Sequence, residues 1–304
     1  MISGMKKVTV LMSTYNGEKY LRTQIDSILN QKGVDINLLV RDDGSKDNTL
    51  EILKEYALND KLKWYNGKNL KSAKSFMDLL KNSDNSEYYA FSDQDDYWLP
   101  EKLYRAVSIL EKQPSNIPAL YYSETTIVDE NLNKLSQRKE TRIAKKFNNA
   151  VISSNATGCT FCFNKKLRDL INEYEPSYQI MHDGWVHKVC LALDGYVYFD
   201  QNSYIKYRQH GNNVVGGTTT PIKRWKRRIN TIKTNPCPRS RGIRELLNGY
   251  YKYMSKDNIN ICKEISNYKK TLKNRMILIF DKNIYSSNKR IDIIFRLTVL
   301  LGIF

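Results

Sequence analysis

Along the first 125 residues, hydrophobic positions recur with two alternating periods. Val8–Met12 (VTVLM) is a short apolar run that reads as a buried strand, whereas Leu21, Ile25, Ile28 and Leu29, within 18–31, fall on one face of a helix. The unit then repeats. A strand over 36–43 (INLLVRDD) leads through Gly44-Ser45 into a helix carrying Leu50, Leu53 and Tyr56, and KLKWYN precedes a helix over about 72–80. A fourth strand, 87–93 (EYYAFSD), ends in an acidic cluster; Pro100 opens a helix to about Gln113, and ALYYSET is another strand. This alternation predicts an α/β fold, a mostly parallel sheet flanked by helices on both faces.

After Thr126 the rhythm loosens. The charged stretch 129–146 predicts a loop, ATGCTFCF a strand, 165–174 a helix and YIKYR a strand, with Asp183 at the N-cap position of a helix over 184–193. From Thr218 the pattern becomes basic and mainly helical, with a break at Pro236-Cys237-Pro238 and a nearly all-apolar end, IIFRLTVLLGIF. The predicted division is a body over 1–217 and a separate module over 218–304.

Charge sharpens that division. The net charge is +17, but residues 1–217 hold 29 basic and 27 acidic side chains (+2), and residues 218–304 hold 20 and 5 (+15). A basic, tyrosine-bearing tail that includes Trp225 predicts attraction to anionic lipid headgroups. A solvated helical cap or a homo-oligomer contact is the plainer alternative. No window approaches 18 uncharged apolar residues, and the apolar run behind Lys6-Lys7 is too short for a signal peptide. Five cysteines without framework spacing suit reduced thiols in a cytosolic compartment, and Cys159 and Cys162 lack a second pair to complete a metal site. The basic charge also fits a nucleic-acid-binding protein, although acidic strand ends would repel such a partner. Neither GxGxxG nor GxxxxGK[ST] occurs, which counts against a dinucleotide oxidoreductase and a phosphate-loop NTPase.

Ligands of open parallel sheets sit beyond the carboxyl ends of the strands, so the polar residues there are the first functional candidates. They are Ser13 to Glu18, Asp42 to Ser45, and Ser92 to Asp96. Three carboxylates in Asp93-Gln94-Asp95-Asp96 repel one another unless a cation or donors lie among them, and hard oxygen ligands suit Mg2+ or Mn2+. A solvated turn before the Pro100 helix is the alternative. At Asp42 or Asp43 a carboxylate can accept from a uracil or thymine imide or a ribose hydroxyl, while Gly44 and Ser45 make a turn and a cap. In YRQHGNNVVG, His210 can add a metal ligand and Arg208 can neutralise phosphate, or the histidine merely packs. His187, alone on a helix, reads as packing.

In order and spacing, STYNGEKYL, RDDGSKDNT and FSDQDDYWLPEKL resemble the family 2 glycosyltransferases of the GT-A fold over about residues 7 to 115. The resemblance makes 1–125 a nucleotide-sugar half and 126–217 an acceptor half. It implies that Thr14, Tyr15, Glu18 and Asp43, or Asp42, hold the nucleoside. Asp93 would bind ribose or metal and Asp95 the metal, with Asn16, Gln94 and Arg208 completing the donor-facing set and His210 joining the metal. ATGCTFCFNKKL resembles the acceptor-lining stretch, and MHDGWV the helix start bearing the catalytic base. Asp183 would then deprotonate an acceptor hydroxyl in an inverting displacement. The family more often has Glu-Asp where this chain has His182-Asp183, which leaves His182 as a second candidate. FSDQDDYW with YRQHGNNVVG resembles the rhamnosyltransferase-like subset of bacterial surface polysaccharide synthesis, which includes capsule and cell wall. The implied donor is dTDP-rhamnose, or a UDP-hexose or UDP-amino sugar. The implied acceptor is a lipid-linked glycan, met by a cytoplasmic enzyme peripheral on the inner face of the cell membrane.

Overall fold

The computed structural model describes residues 4–137, 143–154, 156–178, 181–210, 237–286 and 288–304. The first half alternates as the pattern predicts: β1 (Lys6–Thr14), α1 (Leu21–Leu29), β2 (Val34–Asp42), α2 (Thr49–Leu58), β3 (Lys63–Asn66), α3 (Lys71–Asn82) and β4 (Tyr88–Ser92). A two-residue β5 (Tyr97–Trp98), α4 (Lys102–Leu110) and β6 (Ala119–Val128) follow. The sheet order is β3-β2-β1-β4, continued by β8 (Cys162–Asn164), β6, β9 (Tyr196–Arg208) and β5. β1 pairs in parallel with β2 and β4, β2 with β3, and β6 with β9, whereas β8 runs antiparallel between β4 and β6.

Strand side chains alternate faces, and the core follows that alternation. Val8, Val10 and Met12 of β1 join Ala90 of β4 and the Leu21, Ile25 and Ile28 stripe of α1 in one cluster, whereas Leu11, Tyr89 and Phe91 point the other way, to Phe76 and Leu79 of α3. That second cluster runs on through α5 (Phe147–Ala150), α6 (Lys165–Asn172) and α7 (His182–Ala192) into the C-terminal helices. These are α8 (Pro238–Tyr250), α9 (Lys256–Asn267), α10 (Leu272–Phe280) and α11 (Lys289–Leu300). Ile243, Leu246 and Tyr250 of α8 share this core, and Tyr250 packs against Trp185 of α7 at 6.1 Å between rings. All five cysteines are free and buried.

Three local readings differ from expectation. The anticipated strand over 156–163 is a 3-10 turn (Gly158–Thr160) before the three residues of β8, because Thr160 Oγ1 donates to the Thr157 carbonyl and accepts from Ser123 N, a side-chain alternative to strand pairing. Within the expected loop over 129–146, β7 (Lys134–Gln137) pairs with β6; all four of its residues are exposed, so no apolar signal marked it. Met181, not Asp183, caps α7, and Asp183 lies in its first turn, where Oδ1 accepts from Gly184 N at 2.6 Å. Trp225, Pro236 and the glycine-rich loop after His210 lie outside the described residues.

Candidate functional site

Register brings the polar strand ends to one rim. Thr14 lies opposite Asp42 across β1 and β2, and Ser92 opposite Met12 across β1 and β4. The three polar segments therefore leave the sheet side by side.

On the β2 side, Asp42 is fully buried and builds its own turn, accepting from Gly44 N (2.9 Å), Ser45 N (2.8 Å) and Ser45 Oγ (2.5 Å). Asp43 is nearly as buried, held by Arg41, by Ser75 Oγ at 3.0 Å and by Leu70 N at 3.2 Å. Arg41 also reaches Asp78 at 2.9 Å. The sequence reading missed Arg41, although a cation ending the apolar run INLLV just before Asp42-Asp43 was the available signal. Asn16, at φ 49°, ties the first loop to the second: its amide donates to Ser45 Oγ and its Oδ1 accepts from Lys46 N. Glu18 does the same through Asn48 N at 2.9 Å. Tyr15 is exposed at the rim.

Gln94 locks the acidic segment to the end of β1. Its Oε1 accepts from Thr14 Oγ1 (2.6 Å) and Tyr15 N (2.8 Å), and its Nε2 donates to the Tyr15 carbonyl (3.2 Å). Gly17 is glycine for this reason, since a Cβ there would lie 2.4 Å from Gln94 Oε1. Asp93 is half-buried, and burial first, then Asp95 and Asp183, push its carboxyl up to about 7. Asp95 Oδ2 meets His210 Nε2 at 2.7 Å, and Arg208 Nε donates to the Asp95 carbonyl at 2.7 Å. Arg208 also donates to the Glu130 carbonyl and lies 4.4 Å above the Tyr20 ring, which the His210 ring approaches at 5.1 Å. β9 thus delivers Arg208 and His210 onto the acidic segment, a long-range pairing that residue spacing alone does not encode.

Beneath them Asp96 is fully buried and, like the adjacent Cys159 thiol, is pushed well above its ordinary range by burial and by neighbouring carboxylates. Lys102, also buried, sits 3.4 Å over the Trp98 ring, and burial drives it down to about 8. The sequence marked Asp96 only as one of three carboxylates in the acidic cluster, and nothing in it marked Lys102.

The donor set fits a hard divalent ion. Asp93 and Asp95 are carboxylates at one strand end, and a cation would relieve the repulsion that, after burial, raises Asp93. Asp93, Asp96 and Cys159 also offer ligand atoms within 4.8 Å of one another, but a thiol held protonated is a poor ligand for Mg2+ or Mn2+. Asp93, Asp95 and His210, all partly buried, are the better donor types for such an ion, although among the described residues only Asp93, Asp96 and Cys159 gather their ligand atoms this closely.

Opposite stands the start of α7. Asp183 lies near enough to Asp93 to add to its repulsion. His182 is buried, stacked on Phe76 at 4.0 Å and edge-on to Phe91 at 5.0 Å, and burial pushes it down to about 4. Its ring is therefore neutral and enclosed, which leaves Asp183 as the accessible carboxylate. Lys188, one turn on, donates to the Gly184 carbonyl at 3.2 Å. His187 packs, with Nδ1 2.6 Å from Ser154 Oγ and its ring edge-on to Tyr122.

Known proteins resemble this chain in sequence or in fold. The chain is 31% identical over 238 residues to the dTDP-rhamnosyl transferase RfbG of Shigella flexneri, covering 71% of this chain and 77% of the relative. TarS 1-349 of S. aureus in complex with UDP superposes with a TM-score of 0.56 at 18% identity, over 91% of this chain and 75% of that one. GalNAc-T7 with UDP, GalNAc and Mn2+ superposes with a TM-score of 0.54 at 12% identity, over 75% and 48%. The glycosyl transferase family 2 model matches residues 9–174, more than half of the chain. With its curled, mostly parallel sheet of GT-A type, the chain belongs to glycosyl transferase family 2 and is a glycosyltransferase.

Proposed function

We propose that this enzyme moves a sugar from a nucleoside diphosphate to a hydroxyl of a lipid-linked glycan, with inversion, in bacterial surface polysaccharide synthesis. One observation carries the reading: the Asp93–Asp95–His210 group and Asp183 converge from β4, β9 and α7 on one rim. Thr14, Tyr15, Asn16, Glu18, Asp43, Gln94 and Arg208 form the donor side. Asp42 acts there through the turn that it holds. The relation to a dTDP-rhamnosyl transferase favours dTDP-rhamnose; the UDP-bound structural neighbour keeps a UDP-hexose or UDP-amino sugar as the second reading.

In the proposed displacement Asp183 takes the acceptor hydroxyl proton as the oxygen bonds to the anomeric carbon. The bond from that carbon to the diphosphate oxygen breaks, and the nucleoside diphosphate leaves with the electron pair. Bound at Asp93, Asp95 and His210, Mn2+ or Mg2+ supplies charge neutralisation for the leaving diphosphate. Arg208 brings a further positive charge to the same place. His182 excludes water beneath the base.

Residues 1–217 form the catalytic domain in this reading. Residues 218–304 hold the enzyme against the inner face of the cell membrane, where lipid-linked acceptors reside. No helix among the described residues is long and apolar enough to cross a bilayer, and the attachment proposed is a peripheral one.

Thermal shift against dTDP-rhamnose, UDP-glucose and UDP-GlcNAc, with and without Mn2+, tests the donor, and only the true donor stabilises the fold. Asp183→Asn should retain that shift and lose transfer, and Asp95→Ala should lose both metal-dependent turnover and the metal-dependent shift. Full transfer by Asp183→Asn removes it as the base.

A further inference from the structure

Large apolar side chains are concentrated on one part of the surface. Leu272, Met276 and Phe280 fall at successive fourth positions of α10, with Ile277 beside them, and all four are exposed. On α11, Ile293, Ile294, Leu297 and Leu300, continued by Leu301, form a second exposed stripe, while Phe295 and Val299 take the buried face. Both helices are thus amphipathic with more apolar surface than their packing uses.

The two helices form an antiparallel pair. Arg275 near the start of α10 donates to the Leu300 carbonyl at the end of α11, and Arg296 donates to the Ile279 carbonyl. Arg296 also pairs with Asp292 at 2.9 Å, which consumes one of the few acids present. From 269 to 304 the chain carries eight Lys and Arg against two Asp, a net +6. Lys273, Lys282, Lys289 and Arg290 are exposed around the apolar stripes, and Tyr285 is exposed in the connection.

We infer that the α10–α11 hairpin lies in the plane of an anionic bilayer surface and inserts these stripes among the acyl chains. The inference rests on the membrane attachment proposed above and changes its physical nature, from charge alone to burial of apolar area flanked by charge. A second copy of this chain is the less suitable occupant, because two such faces would bring their +6 charges together. Anionic headgroups complement that charge, and the acyl region takes up the stripes.

The test uses the full chain with vesicles of phosphatidylglycerol and phosphatidylcholine, and of phosphatidylcholine alone, sedimented in low and high salt. The double variant Ile294→Glu, Leu297→Glu should lower partitioning onto anionic vesicles roughly tenfold or more, because two side chains lose acyl contact. Both positions are exposed, so an unchanged melting temperature confirms an intact fold. A Leu297→Trp variant should be quenched by bromine-labelled acyl chains, and high salt should weaken binding without abolishing it. If the double variant binds as well as the parent, high salt releases all of the protein and the introduced indole is unquenched, then insertion is wrong and charge docking stands. If the parent binds no vesicles, both readings fall, and dimers by light scattering that the double variant dissolves would identify the face as a seam between copies.

Discussion

Gly158→Ala tests the placement of the proposed base without touching it. A Cβ at Gly158 would lie 2.7 Å from His182 Nε2 and 3.2 Å from Asp183 Cβ, where ordinary contact begins at 3.4 Å, so about 0.7 Å must be recovered at the histidine. That ring cannot swing aside, being held by Phe76 at 4.0 Å and Phe91 at 5.0 Å. The start of α7 must therefore move and carry Asp183 with it. A displacement of about 1 Å can cost about 100-fold in rate, so about 0.7 Å corresponds to roughly a 10- to 30-fold loss of kcat. Overpacking should also lower stability by about 1–3 kcal/mol. Steady-state transfer kinetics, donor affinity by calorimetry and a melting curve separate these effects. The expected result is reduced kcat with donor affinity preserved. A variant that melts lower yet transfers at the parent rate would refute the link from Gly158 through His182 to Asp183.

Arg41→Met should leave Asp43 buried without its cation, costing about 3–5 kcal/mol in urea denaturation, and an unchanged midpoint would show that Ser75 and Leu70 suffice. His187, pushed down to about 3 by burial from its ordinary 6.5, binds its proton more weakly folded than unfolded, so its contribution is complete above pH 6.5 and declines as pH falls towards 3. Between about pH 6 and pH 4 the His187→Leu variant should therefore lose about 1.4 kcal/mol less stability per pH unit than the parent; parallel curves would refute this. Gly242→Ala, inside α8 with nothing within 4 Å of the added carbon, should raise stability by about 0.5–1 kcal/mol in thermal melts, and a lower melting temperature would show that this glycine is needed.

Much of this molecule was legible in the chain because the relevant interactions are local or periodic. Val8–Met12, the stripe of α1 and the polar residues directly after β1, β2 and β4 follow from side-chain period and strand polarity, and they locate the rim. The charge division at about residue 217 is simple counting. Other features depended on residues far apart in sequence. Spacing cannot show that β9 brings Arg208 and His210 to Asp95, that β8 is a short antiparallel insertion, or that Asp42 spends its carboxylate on a turn. Nor can it distinguish His182 from Asp183 at adjacent positions; burial against Phe76 made one neutral and enclosed and left the other near Asp93. Composition likewise marked the C-terminal segment as basic, but only the packing of α10 against α11 decided which apolar side chains entered the core and which remained outside. Period and charge are properties of neighbours along the chain, whereas burial and pairing are set by where the sheet and helices bring distant residues together.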